Sequence, residues 1–190
     1  MKLIIPLFFV SIFLSPKKEQ KVIYIQPLGN VESKYINHVQ ITLKNFYGYN
    51  CIVQKKLDLT EDLLSKSKKR YDGLKILKKF RSDKNIIIIT EKDITTKKGV
   101  YDEWGILGLG FRPGTVCVVS TYRMRRNVNE RKILDRLKKV SIHEVGHNLG
   151  LDHCKNDIKC MMNDAKGTIS QIDKEEFYFC KNCKNQINIK

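Results

Sequence analysis

His143-Glu144-Val145-Gly146-His147-Asn148-Leu149-Gly150-Leu151-Asp152-His153-Cys154, then Cys160-Met161-Met162, then Cys180-Lys181-Asn182-Cys183: the reading of this chain turns on these residues. Three of the chain's four histidines and four of its six cysteines fall in this stretch. Imidazole and thiolate are natural zinc ligands, so the clustering points to metal. Just upstream, Ile133, Leu134, Leu137, Val140, Ile142, Val145 and Leu149 recur mostly at steps of three and four. That periodicity predicts a long helix from about 129 to 149 with one apolar face. Asn127 and Glu130 stand at capping-box spacing at its start.

On such a helix His143 and His147 lie one turn apart on one face and can hold one ion from the same side. Glu144 sits about 100° further round the axis, within reach of a water on that ion. Zinc lowers the pKa of such a water towards about 7. A carboxylate beside it can take the proton during attack on a carbonyl and later pass it to the leaving amine. Gly150 in a left-handed conformation would end the helix and turn the chain back. The turn would bring in His153 as a third ligand. Three protein ligands leave a fourth position open, the mark of a catalytic rather than a structural zinc. The spacing H-E-x-x-H-x-x-G-x-x-H is the signature of the metzincin zinc peptidases. His38, the remaining histidine, lies in a second amphipathic stretch and is assigned no role.

The cysteines extend the pattern to H-E-x-x-H-x-x-G-x-x-H-C, five residues, C-x-M, seventeen residues, C-x-x-C. In this order the chain resembles the archaemetzincins. The family pattern has four residues between the first two cysteines, where this chain has five, Lys155 to Lys159. Weaker likenesses lie upstream at Ile25-Gln26-Pro27-Leu28-Gly29, at Arg70-Tyr71 to Ile76-Leu77 and at Val119-Ser120-Thr121, so the resemblance covers most of residues 22–183. It implies a second, structural zinc on Cys154, Cys160, Cys180 and Cys183, whose four thiolates would close the coordination shell. The rival is two disulfides. It also implies that Met162, rather than Met161, forms the methionine turn beneath the histidines. The expected cofactors are thus two zinc ions per chain, one catalytic and one structural.

The same likeness implies an α/β fold: a small twisted mixed sheet, a long helix bearing the site, and a short zinc-stabilised C-terminal part. Local patterns agree. Val22 to Ile25, Cys51 to Val53 and Val116 to Ser120 read as strands, and Ile86-Ile87-Ile88-Ile89 reads as a central strand buried on both faces. Residues 31–46 and 70–80 carry apolar groups at helical spacing. Residues 58–70 read as a loop. The segment Trp104 to Gly110 is the candidate edge strand on the rim of a substrate cleft, where an extended peptide could add as a further strand. Cys51 and Cys117 stand apart, each in an apolar run, and are expected to be buried thiols rather than a mutual disulfide.

With 190 residues and 42% hydrophobic content, the chain has enough length for a real core. Its formal net charge is +16. The lysines are scattered rather than gathered into a block with interleaved aromatics, so no nucleic acid is expected as a partner. Residues 3–15 carry no charge and would span about 20 Å as a helix, short of a hydrocarbon core. Residues 1–16 are therefore expected to be a signal peptide or N-terminal anchor, and residues 17–190 the catalytic domain. Export follows: periplasmic, secreted, or held at the membrane through residues 1–16. The expected partner is a peptide or protein substrate, and the chain is expected to be a monomer. The function reads as a zinc-dependent peptidase. The alternative is a catalytically silent zinc-stabilised peptide-binding module, against which an intact Glu144 argues.

Overall fold

The computed structural model describes residues 21–187, so the expected signal segment 1–16 lies outside the described residues. The chain runs β1 (Val22–Pro27), α1 (Ser33–Tyr47), β2 (Asn50–Val53), β3 (Tyr71–Asp72), α2 (Gly73–Lys79), β4 (Ile86–Thr90), β5 (Ile94–Lys98), β6 (Tyr101–Ile106), β7 (Gly108–Gly110), β8 (Val116–Ser120), α3 (Glu130–Asn148), α4 (Ile169–Lys174) and α5 (Lys181–Ile187). A five-stranded mixed sheet has the order β2-β1-β4-β8-β7, with β7 antiparallel at one edge. A three-stranded sheet, β3-β5-β6, lies beside it.

The central place of β4 follows from its four isoleucines. Ile87 and Ile89 face one core with Ile23, Ile25, Cys117 and Val119, under α1 and α3. Ile88 faces the opposite core with Val116, Val118, Ile76, Leu77 and Ile94, under α2. Alternate side chains of one strand thus feed two cores, which is why the run has no polar member. The mixed sheet and the long helix α3 agree with the α/β fold that the resemblance implies; helices on both faces are an addition to it.

Three local expectations change. The cap of α3 is Asn129, not Asn127: its side chain accepts the Lys132 N–H at 3.1 Å. Asn127 instead takes a left-handed turn at φ 51°. Trp104 to Gly110 is not one strand. Leu107 is buried between β6, which pairs with β5, and β7, which pairs with β8. Only Gly108–Gly110 lies at the edge of the main sheet. The β5–β6 hairpin has no counterpart in the sequence reading, because Ile94 to Lys98 is short and follows charged residues. Cys51 on β2 and Cys117 on β8 are separated by β1 and β4. Three strand spacings, about 14 Å, exclude a disulfide between them. Among the described residues no helix is long and apolar enough to cross a membrane.

Candidate metal centre

Helix α3 places the first half of the motif. Ile133, Leu137, Val140, Ile142 and Val145 are buried against the sheet and α1. Tyr47 on α1 donates to the Ile142 carbonyl at 2.8 Å, and the His38 ring meets the Leu134 carbonyl at 2.9 Å. His38 therefore packs α1 on α3. The helix ends where the Leu151 N–H bonds to Gly146 O at 3.0 Å, with Gly150 at φ 101°. That turn has two consequences. It swings His153 back towards His143 and His147, and it sets the Leu151 carbonyl beside His147.

The structure brings His143, His147 and His153 together: one ring nitrogen from each lies within 4.8 Å of the others. His143 Nδ1 meets the Met161 carbonyl at 2.6 Å, and His147 Nδ1 meets the Leu151 carbonyl at 2.8 Å. A carbonyl only accepts, so both Nδ1 atoms carry the proton and both Nε2 lone pairs are left for an ion. Burial, reinforced by His147, pushes His143 down to about 3. Burial lowers His147 as well. Both rings are neutral near pH 7, the form that ligates metal. The donor set therefore fits zinc.

The four cysteines form a second cluster, also within 4.8 Å. None is in a disulfide. The sulfur separations are 3.6 Å for Cys154–Cys180, 3.9 Å for Cys160–Cys183 and 3.6 Å for Cys180–Cys183. Four sulfurs at a tetrahedral zinc, each at about 2.3 Å, stand about 3.8 Å apart. A disulfide would need about 2 Å. Burial pushes Cys160 up to about 11 and Cys183 higher still. Cys180 goes the other way, lowered by hydrogen bonds at its sulfur that outweigh its burial, and a cation among the four would stabilise their thiolate forms together. The five-residue loop closes without disturbing this spacing. Asp157 turns it by accepting the Lys159 N–H at 2.9 Å, and Ile158 is left outside, 66% exposed.

The two clusters share a backbone. His153 is followed at once by Cys154, and the Cys154 N–H bonds to Met162 O at 2.7 Å. Met161 and Met162 are both fully buried. The Met162 thioether lies against Gly146: a Cβ there would come within 2.6 Å of its Sδ. Met161 contributes its carbonyl to His143. The sequence offered no sign of that second role, because any residue has a carbonyl.

Glu144 is buried, 6% exposed, and lines the same cleft of about 490 Å³ as the three histidines. Burial pushes its carboxyl up to about 8. Strand β7 closes over it. A Cβ on Gly108 would stand 2.5 Å from Glu144 Oε1, and one on Gly110 would stand 2.9 Å from its carbonyl. The glycines of the edge strand are thus what lets the sheet approach the carboxylate. Asn148, which the sequence reading passed over, fixes that approach by donating to Phe111 O at 2.9 Å and Val116 O at 3.0 Å. Gly108→Ala is expected to leave zinc content unchanged and to lower kcat/KM for a peptide by about 100-fold, the order expected for a 1 Å misplacement. Parallel metal analysis and peptide hydrolysis check it; wild-type kcat/KM in the variant would show that β7 does not set the carboxylate.

A family model described as peptidase family M54 matches residues 56–189. The chain belongs to peptidase family M54. M54 relatives include the archaemetzincin of Halobacterium salinarum, 27% identical over 174 residues, which span 86% of this chain and 97% of that protein. The archaemetzincin of Archaeoglobus fulgidus is 29% identical over 165 residues, 87% of this chain and 98% of its own. The crystal structure of the A. fulgidus protein matches with a TM-score of 0.77 at 26% identity, covering 87% of this chain and 99% of that one. Archaemetzincin from Methanopyrus kandleri shares the fold, with a TM-score of 0.77 at 21% identity over 92% and 97% of the two chains. As an M54 member the chain is a zinc metallopeptidase, a hydrolase acting on peptides.

Proposed function

We propose that this peptidase holds two zinc ions with separate tasks. His143, His147 and His153 would hold the catalytic ion, and Cys154, Cys160, Cys180 and Cys183 the structural one. Zinc at the histidines supplies Lewis acidity towards a water and a peptide carbonyl. Glu144 does the proton work. Its carboxylate accepts a proton from the attacking water and delivers it to the departing amine. β7 offers unpaired backbone groups at the rim of the cleft, on which an extended substrate can lie as an added strand. Met162 and the Met161 carbonyl hold the histidines from below. The single observation that carries the reading is the buried Glu144 carboxylate in the same cleft as three convergent imidazoles, two of them locked by carbonyls with Nε2 free.

The domain is taken as residues 17–190, working as a monomer. Export through residues 1–16 rests on their sequence alone. The test is metal analysis beside thiol counting and peptide hydrolysis. Two zincs, six titratable thiols and hydrolysis that a chelator abolishes and zinc restores are the expected results. One zinc with four oxidised cysteines would replace the structural site by disulfides. Chelator-insensitive hydrolysis would remove the catalytic assignment.

A further inference from the structure

Glu175 follows α4 and lines the same cleft as the histidines and Glu144. It is 5% exposed, and its Oε1 is buried without a hydrogen-bond partner. Nothing in the hydrolytic mechanism uses it. An unsatisfied carboxylate oxygen in such a place is unfavourable and calls for a reason. The neighbouring cations do not supply its partner. Arg136 forms a bidentate pair with Asp173 at 2.9 and 2.7 Å. Lys139 is engaged by Asp135 at 3.0 Å and by the Ile172 carbonyl at 3.1 Å. Each buried cation of α3 at this end already has its match, so Glu175 is the surplus acid.

Apolar side chains line the cleft beside it. Val140 and Ile172 line the cleft with it. Val140 precedes Glu144 by one helical turn and shares its face of α3, a displacement of about 6 Å along the axis. A substrate residue next to the scissile bond can therefore run its aliphatic stem past Val140 and Ile172 and set a charged head on Glu175. Burial pushes Glu175 up to about 8, against weaker opposing pulls from Lys139 and the Gln171 side chain, and an entering cation relieves that penalty.

We propose that Glu175 forms a specificity subsite for a cationic side chain, lysine or arginine, at a substrate position flanking the cleaved bond. The inference rests on this cleft being the peptide site. It names a substrate class, peptides cut beside a basic residue.

The test uses the zinc-loaded protein and quenched fluorescent peptides that differ only by lysine or norleucine, placed on either side of the scissile bond. Norleucine keeps the stem and removes the charge. The wild-type protein is expected to favour lysine at one of the two positions by at least about tenfold in kcat/KM, the scale of one charged hydrogen bond. Glu175→Gln, nearly isosteric, should bring that ratio to about one. A merely structural role would lower both rates and leave the ratio alone. Equal cleavage of lysine and norleucine peptides by the wild-type protein, or a lysine preference that survives Glu175→Gln, would overturn the subsite. Equilibrium binding of the same peptides to Glu144→Ala separates this from the mechanism. Tighter binding of the lysine peptide with no cleavage of either by wild-type protein would keep the subsite and sink the hydrolytic assignment. Cleavage without any lysine preference would do the reverse.

Discussion

Glu144→Ala is expected to keep its full zinc content, to lose about a thousandfold in kcat/KM on any cleaved peptide, and to unfold no earlier than the wild-type protein. The activity loss is the usual scale for a positioned general base and acid. Metal content should hold because the proposed ligands are imidazoles, two of them locked by the Met161 and Leu151 carbonyls, and neither bond involves the glutamate. The stability expectation comes from burial. Glu144 is 6% exposed, and burial alone accounts for its raised pKa of about 8. Burying the carboxyl is unfavourable, and alanine removes that cost while forfeiting some packing against Gly108. An inactive variant of undiminished thermal stability would mark Glu144 as retained for chemistry. A variant that cleaves at the wild-type rate would end the assignment. One that loses zinc would show the carboxylate to be part of the metal's support instead.

Cys183→Ser carries the second large effect. Cys183 is 3% exposed on α5, and its sulfur completes the cluster at 3.9 Å from Cys160. A structural zinc contributes about 10–16 kcal/mol to folding of its surroundings, and a serine hydroxyl is a poor substitute for a thiolate. Loss of even about 4 kcal/mol lowers the melting temperature of a domain this size by about 8–16 °C. The damage should also reach the histidines. Cys154 adjoins His153, and Met161, whose carbonyl holds His143, lies next to Cys160. Cys183→Ser is therefore expected to bind one zinc fewer, melt earlier and lose hydrolysis together. Calorimetry with metal analysis checks it. Comparing chelator and reductant on the wild-type protein isolates the cause: a melting point lowered by reductant but untouched by chelator would reassign the cysteines to disulfides.

Glu175 marks where sequence reading stops. Nothing separates it from Glu176 beside it by residue type, yet Glu176 is exposed and pairs with Lys159 at 2.8 Å, while Glu175 is buried in the cleft. One step along the chain changes which side faces the protein, and no periodic pattern runs through 174–178 to tell which. The same holds for Asn148 and Gly108. Their importance comes from contacts between α3 and the β7–β8 turn, segments more than 30 residues apart. By contrast α1, α2, β4 and β8 were legible because each buries a face whose spacing is written in consecutive residues.

Short spacings along the chain were enough to pick out the candidate ligands, the helix that carries His143 and His147, the glycine turn at Gly150 and the grouping of four cysteines. These are matters of fixed short spacing: helical geometry converts a step of four residues into one face, whatever the rest of the chain does. The folded backbone alone sets the Cys154–Cys180 and Cys160–Cys183 sulfurs 3.6 and 3.9 Å apart, and it brings the Met161 and Leu151 carbonyls onto the two imidazoles. It alone placed the glycines of β7 on Glu144 and left Glu175 Oε1 without a hydrogen-bond partner in the same cleft. Each of these depends on where a distant backbone lies. Backbone carbonyls are common to every residue, so no side-chain pattern could have announced them.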